Sequence, residues 1–195
     1  NSFGTSGIFV QGDNVVIDGV RVGPNAPGDN KTIEVIGENF TLADSVIDVP
    51  GGGSVYINDW RYVAGSPATC HVNKYTISGN IFKLAASLDI SSGAGACTAA
   101  SDRQILNNAF ESDAGQYWPQ ISFNGTVPAV GWFVDPVGGA VITGNTFQAA
   151  DQYIRLRGTD TGTFAWESYW NSNTFQKAVI TLESVSPFKP RLFAY

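Results

Sequence analysis

The chain has 195 residues, enough for one domain, and its 43% hydrophobic content with 12% aromatics supplies a sizeable core, which excludes a disordered tail. Only 14% of residues are charged against 22 glycines, a balance that predicts an all-β fold of short strands and many turns instead of charged surface helices. A formal net charge of −6 without a basic cluster excludes a phosphate-gripping face for nucleic acid, and no apolar run approaches the roughly 18 residues of a membrane-spanning helix.

The first ten residues carry neither a basic start nor a long apolar stretch, and a chain that begins at Asn1 and contains no Met reads as a processed protein or a module of a larger one. The first patterned segment is "GDNVVIDGVRV" at 12–22, and "IEVI" at 33–36 then leads into "GENFTLADSVI" at 37–47. "PGGGSV" at 50–55 runs into the alternating "VYIN" at 55–58; no helix follows it, so it reads as a turn and not as a phosphate loop. Further along come "ISGNIF" at 77–82, "LDIS" at 88–91, "ILNNAF" at 105–110, "QISF" at 120–123, "ITGNTF" at 142–147, "IRLR" at 154–157, "YWNSNTF" at 169–175 and "ITLE" at 180–183. The closing "SVSPFKPRLFAY" at 184–195 reads as a cap or a docking strand.

Two patterns are interleaved here. One is an apolar residue, two small or polar residues, Asn, a variable residue and Phe. Its six copies end at Val22, Ile47, Phe82, Phe110, Phe147 and Phe175, at spacings of 25, 35, 28, 37 and 28 residues. Periods in this range mark a solenoid, and strand-like alternation without helical periodicity makes it a β-solenoid. The other pattern is the short alternating segment, which sends one side chain inward and the next outward, so that Ile154 and Leu156 belong to the core while Arg155 and Arg157 face out.

Over nearly its whole length the chain resembles the right-handed parallel β-helix superfamily of pectate lyases, polygalacturonases and many surface proteins. The resemblance implies an all-β, right-handed parallel β-helix of about six rungs forming one domain, 1–195, as a module or fragment of a larger extracellular protein. At roughly 4.8 Å per rung it would be a rod about 30 Å long. It also implies an Asn ladder through Asn80, Asn108, Asn145 and Asn173, with Phe82, Phe110, Phe147 and Phe175 as an internal ring stack. Asn suits a left-handed bend, and its amide hydrogen-bonds up and down the stack.

Function is sought outside that ladder. If the rungs are in register, the outward residues form a column: Glu34, Tyr56 and Asn58, Asp89 and Ser91, Gln120 and Ser122, Arg155 and Arg157, Thr181 and Glu183. In the superfamily this face and its flanking loops hold polysaccharide; an ordinary solvated face with Arg155 and Arg157 bridged to Asp89 or Glu183 is the structural alternative. Insertions at 50–71, 92–102, 111–139 and 158–168 emerge on the flanks, where binding sites of solenoids gather. In them or at their edges lie Trp60, Tyr62, Tyr117, Trp118, Trp132, Phe133, Phe164, Trp166, Tyr169 and Trp170. Trp60, Trp118 and Trp132 are the candidates for an exposed platform, since indole offers an apolar face with a polar edge, although long loops also need small cores of their own.

Three function classes follow: a noncatalytic extracellular module binding a glycan or another surface, a polysaccharide lyase or hydrolase, and a structural subunit of a filament or surface assembly. A lyase needs a cation and a base, for which Arg155, Arg157, His71 and Lys74 are available. A hydrolase needs paired carboxylates, for which Asp59, Asp89, Asp102 and Asp113 come into question. The Asp-Asp pair and Gly-His-Gly stretch of polygalacturonases and the Arg-x-Pro-x-x-Arg stretch of pectate lyases are absent from the sequence, which favours the noncatalytic class.

Cys70 and Cys97 are the only cysteines, and a bridge between them would close a loop worth about 3 kcal/mol of chain entropy; two buried thiols are the alternative. With one histidine, His71, and no CxxC, no transition-metal site is expected, while loop carboxylates and carbonyls can supply a calcium site without EF-hand spacing. Sequons at Asn30, Asn39 and Asn124 would accept glycans in a eukaryotic secretory route.

Overall fold

The structure is a computed structural model that describes residues 7–23, 31–58, 60–61, 69–70, 74–92, 103–111, 121–125, 140–148, 153–158, 165–176, 179–184 and 189–194. Among these the chain is all-β, with no helix. A seven-stranded sheet consists of Val16–Asp18, Phe40–Ala43, Tyr75–Ser78, Arg103–Leu106, Ala140–Thr143, Ala165–Asn171 and Lys189–Ala194, each parallel to the one before it in the chain.

An eleven-stranded sheet holds the remaining parallel pairs in two runs. The motif run contains Arg21–Val22, the first part of Val46–Asn58, the first part of Ile81–Ser92, Ala109–Glu111, Thr146–Gln148 and Thr174–Gln176. The polar run contains Ile8–Val10, Lys31–Val35, the later parts of the two long strands, Ile121–Gly125, Tyr153–Gly158 and Val179–Ser184. The long strands join the runs through an irregularity in which Val49 and Gly53 face Leu84 and Ala86. Each repeat thus visits three parallel stacks in a fixed order, an arrangement compatible with a β-solenoid.

The inward columns explain why these residues form these strands. Leu42, Ile77, Ile105 and Ile142 follow one another in register in the seven-stranded sheet, and all are fully buried. Val22, Ile47, Phe82, Phe110, Phe147 and Phe175 form the corresponding column of the motif run. Its four rings stack in parallel, with centroids 4.6, 5.0 and 5.1 Å apart and interplanar angles of 12°, 7° and 10°. Ile33, Val55 and Leu88, with Val35 and Ile57 two residues on, seal the polar run from inside. β-branched and aromatic side chains suit such a pleated, one-sided surface, and each fully buried Phe or Ile contributes about 1.5–3 kcal/mol.

The bend between the seven-stranded sheet and the motif run carries the Asn ladder. Asn80 Nδ2 donates to Asn108 Oδ1 (3.0 Å), Asn108 Nδ2 to Asn145 Oδ1 (2.9 Å) and Asn145 Nδ2 to Asn173 Oδ1 (3.0 Å). Each Oδ1 also accepts the backbone N–H of the preceding ladder residue, at 2.9–3.0 Å. Each Nδ2 reaches a strand carbonyl as well, on Leu42, Ile77, Ile105 and Ile142 in turn. Ser45 continues the column in place of an Asn: its N–H donates to Asn80 Oδ1, and its hydroxyl accepts from the Val20 N–H.

The expectation that the ladder Asn takes the left-handed conformation is corrected. That conformation belongs to the residue before it, at Gly19, Asp44, Gly79, Asn107, Gly144 and Ser172, with φ between 45° and 69°. Glycine alternates with a polar residue along this column for a steric reason. A Cβ on Gly79 would run into the Asp44 carboxylate, and one on Gly144 into the Asn107 amide, whereas one on Gly19, in the first turn, would meet nothing within 4 Å. The polar side chain of one turn folds over the glycine of the next, which leaves no room for a second side chain. A shorter ladder marks the other bend, where Asn14 and Asn39 are left-handed and Asn39 Nδ2 donates to Asn14 Oδ1 at 2.7 Å.

Three further expectations change. The seven-stranded sheet has one level more than the six motif copies, because Lys189–Ala194, in the closing segment, pairs in parallel with Ala165–Asn171. The residues 50–53 are not a separate turn but part of the continuous strand Val46–Asn58, so the insertion expected at 50–71 begins only after Asn58. The insertion expected at 158–168 ends earlier, since Trp166, Tyr169 and Trp170 lie in the strand Ala165–Asn171 and not in a loop.

Candidate functional site

The polar run brings the predicted outward residues into two columns. Phe9, Glu34, Tyr56, Asp89, Ser122, Arg155 and Thr181 follow one another in register. Beside them run Asn58, Ser91, Asn124, Arg157 and Glu183. Glu34 and Tyr56 are half-buried, while their strand neighbours Ile33, Val35, Val55 and Ile57 are fully buried, so the alternation here separates core from face as the sequence predicts. From Glu34 to Thr181 the first column spans six strands, about 24 Å at the usual strand spacing.

In the strand Ile121–Gly125 the register places Ser122 and Asn124 in the two columns. Arg155 and Arg157 occupy alternate positions of one strand, the spacing at which two cations can share one anionic group. Arg157 stands one level from Glu183 and one from Asn124, whereas Arg155 stands two levels from Asp89 with Ser122 between them. The register therefore sets Glu183 nearer to the Arg pair than Asp89.

Lys74 is exposed and precedes Tyr75–Ser78 in the other sheet, so it does not share a column with Arg155 and Arg157. Trp60 lies in a two-residue strand, Trp60–Arg61, that pairs antiparallel with Thr69–Cys70 and sets Trp60 opposite Cys70. This ribbon follows the end of the polar-run strand at Asn58. His71, Trp118, Gln120 and Trp132 lie outside the described residues, as do Cys97, the partner expected for Cys70, and the sequon at Asn30. Of the other sequons, Asn39 is exposed at its left-handed bend, and Asn124 sits within the second polar column.

Two charged features escape a reading of the sequence. Arg103 is fully buried, opposite Tyr75 in register, with its Cζ 6.0 Å from the Tyr75 ring centroid. A guanidinium so placed gains from the face of the ring, which partly offsets its removal from water. The signal was the alignment of "RQIL" with "FTLA" and "YTIS", which sets Arg103 at the position of the buried Phe40 and Tyr75. At the first turns Arg21 pairs with Asp48 across one level; its side chain is 69% exposed, so the pair is a surface feature worth at most about 1 kcal/mol.

No group of three or more His, Cys, Asp or Glu that could hold a metal ion occurs among the described residues. No helix of the described chain is long and apolar enough to cross a membrane. The candidate site is the polar-run face itself, with a hydroxyl or amide at five of its six middle positions (Tyr56, Asn58, Ser91, Ser122 and Asn124), the acidic Asp89 at the sixth, and a cationic pair toward one end. Comparison with protein families, with curated proteins and with solved structures finds no match for the chain.

Proposed function

We propose that the chain is a noncatalytic, right-handed parallel β-helix module of an extracellular protein, and that it binds a glycan along its polar-run face. Right-handedness is the sense expected of parallel crossovers in a twisted sheet. The observation that carries the binding reading is the double column. Hydroxyl, amide and charged residues recur at the strand spacing along one face, and a solenoid keeps such groups in register because each backbone is fixed by its neighbours. A polymer with repeating hydroxyls meets repeating partners there, and Arg155 with Arg157 favours one that carries carboxylate or sulfate groups. An extracellular setting fits the expected Cys70–Cys97 bridge.

The test is retention of the purified chain on a panel of immobilised acidic and neutral polysaccharides, with unsaturated uronates and reducing ends measured in the same samples. Retention without turnover is expected, weakened at least about tenfold by Arg157→Ala, a change of roughly 1.4 kcal/mol. Absence of retention on every glycan sinks the reading. Turnover that disappears in Arg155→Ala replaces it with a lyase, for which the same pair would hold the uronate.

A further inference from the structure

We propose that the polar-run face selects a neutral sugar chain bearing one anionic group and discriminates against a polyanion, with Asp89 as the specificity-determining residue. The inference rests on the reading of this face as a glycan site and names the class of glycan.

The order of charges in the register carries it. Along the first column, charged and hydroxyl-bearing residues alternate over six levels: Glu34, Tyr56, Asp89, Ser122, Arg155 and Thr181. The sign of the charge reverses once, between Asp89 and Arg155, which stand two levels or about 10 Å apart at the usual strand spacing. In the second column Asn58, Ser91 and Asn124 are neutral up to Arg157, and Glu183 follows one level on. The two columns together hold three carboxylates, on Glu34, Asp89 and Glu183, against the two guanidinium groups of Arg155 and Arg157, a net charge of −1. Such a face does not attract a polyanion as a whole. At the Arg level two cations stand beside the single carboxylate of Glu183, which leaves one positive charge and so matches one anionic group.

Asp89 sets the discrimination. An extended glycan laid along the columns advances by roughly the strand spacing per sugar. A polyuronate seated on the Arg pair would therefore bring a second carboxylate to the Ser122 level, about 5 Å from the Asp89 level and inside the screening length of roughly 8 Å. A third would come to the level of Asp89 itself. A neutral sugar at the same level brings hydroxyl donors instead, and a carboxylate accepts more than one of them. The same side chain thus favours the neutral sugar and opposes the charged one.

Calorimetric titration of the whole chain compares three hexasaccharides at physiological salt: a neutral β-1,4-linked chain, the same chain ending in a single uronate, and an oligouronate charged at every sugar. The singly charged chain is expected to bind at least about tenfold more tightly than either of the others. Asp89→Asn, checked for folding by its thermal melt, is expected to raise the affinity for the oligouronate by about tenfold and so to remove the preference over it. Ser91→Ala, which removes a hydroxyl at the same level but no charge, lowers both affinities and keeps their ratio. A smaller preference in the parent chain, or an Asp89→Asn variant with the parent's ratio, overturns the inference while the glycan reading stands. So does binding to none of the three by a chain that another polysaccharide retains. Absence of retention on every glycan ends both.

Discussion

Replacing Asn108 by Ala removes four hydrogen bonds from a residue that is 1% exposed. Its Oδ1 accepts from the Asn80 N–H and Nδ2, both at 3.0 Å, and its Nδ2 donates to the Ile77 carbonyl at 2.8 Å and to Asn145 Oδ1 at 2.9 Å. Two of the four partners keep another bond, since Asn80 Nδ2 still reaches Leu42 and Asn145 Oδ1 still accepts the Asn108 N–H. The Asn80 N–H and the Ile77 carbonyl lose this partner inside the protein, at about 1–3 kcal/mol each. The expected loss is about 2–6 kcal/mol, a large share of the roughly 5–15 kcal/mol that holds a domain together, and it lowers Tm by about 4–24 °C for a chain of this size. Urea unfolding followed by far-ultraviolet circular dichroism gives the free energy directly. Asn173→Ala is the internal comparison, because Asn173 is half-buried and water can replace its partners; about 1–2 kcal/mol is expected there. Asn108→Asp keeps the acceptor for Asn80 but sets a buried carboxylate against the Ile77 carbonyl, and it should be at least as damaging as Ala. A loss at Asn108 below about 1 kcal/mol, or no larger than at Asn173, would refute the view that the ladder is a stability element.

Other substitutions probe the bends and the rings. Gly37→Ala brings a Cβ to 2.7 Å from the Gly12 carbonyl carbon and closer still to its oxygen, both backbone atoms, whereas a Cβ on Gly12 meets only Val15 Cγ2 at 3.5 Å. Thermal melts should show Gly37→Ala destabilised by more than about 2 kcal/mol and Gly12→Ala within about 0.5 kcal/mol of the parent. Gly144→Ala and Gly19→Ala share the left-handed strain of about 1 kcal/mol, but only the former displaces a neighbour, the Asn107 amide. Denaturant titration should therefore find Gly144→Ala the worse by a further 1 kcal/mol or so. Phe110→Ala opens a cavity between two stacked rings and should lose about 3–5 kcal/mol by chemical unfolding. Phe175→Ala, at the exposed end of the stack, should lose less than half of that.

The ladder and the ring stack were legible because one motif repeats with its Asn and Phe at a fixed offset, and a single turn type then serves four levels. The left-handed position was misplaced for a related reason. Asn is itself a residue that tolerates that conformation, so it drew attention from the Gly, Asp, Asn and Ser just before it, whose mixed identity hides their common geometry. The seventh level was hidden by Pro190 and by the lack of any Asn-x-Phe. Among the described residues Lys189–Ala194 pairs only with Ala165–Asn171, an edge position at which a residue without an N–H is tolerated. Arg103 was passed over because a charged residue at an inward position runs against burial rules that hold for most of the column. The polar columns themselves were visible as alternation, but what they bind depends on side-chain chemistry that strand periodicity does not encode.

The alternation of glycine with a larger residue at the left-handed positions makes the true unit of this fold a pair of turns. Each pair consists of a turn that projects a side chain and a turn that receives it. Removing or duplicating a single turn would set two projecting side chains at adjacent left-handed positions, as Asn14 and Asn39 stand at the other bend, or glycine against glycine, which leaves a gap. Growth or shortening by two turns would preserve the alternation, so engineered variants that respect this parity should keep more stability in thermal melts than odd ones.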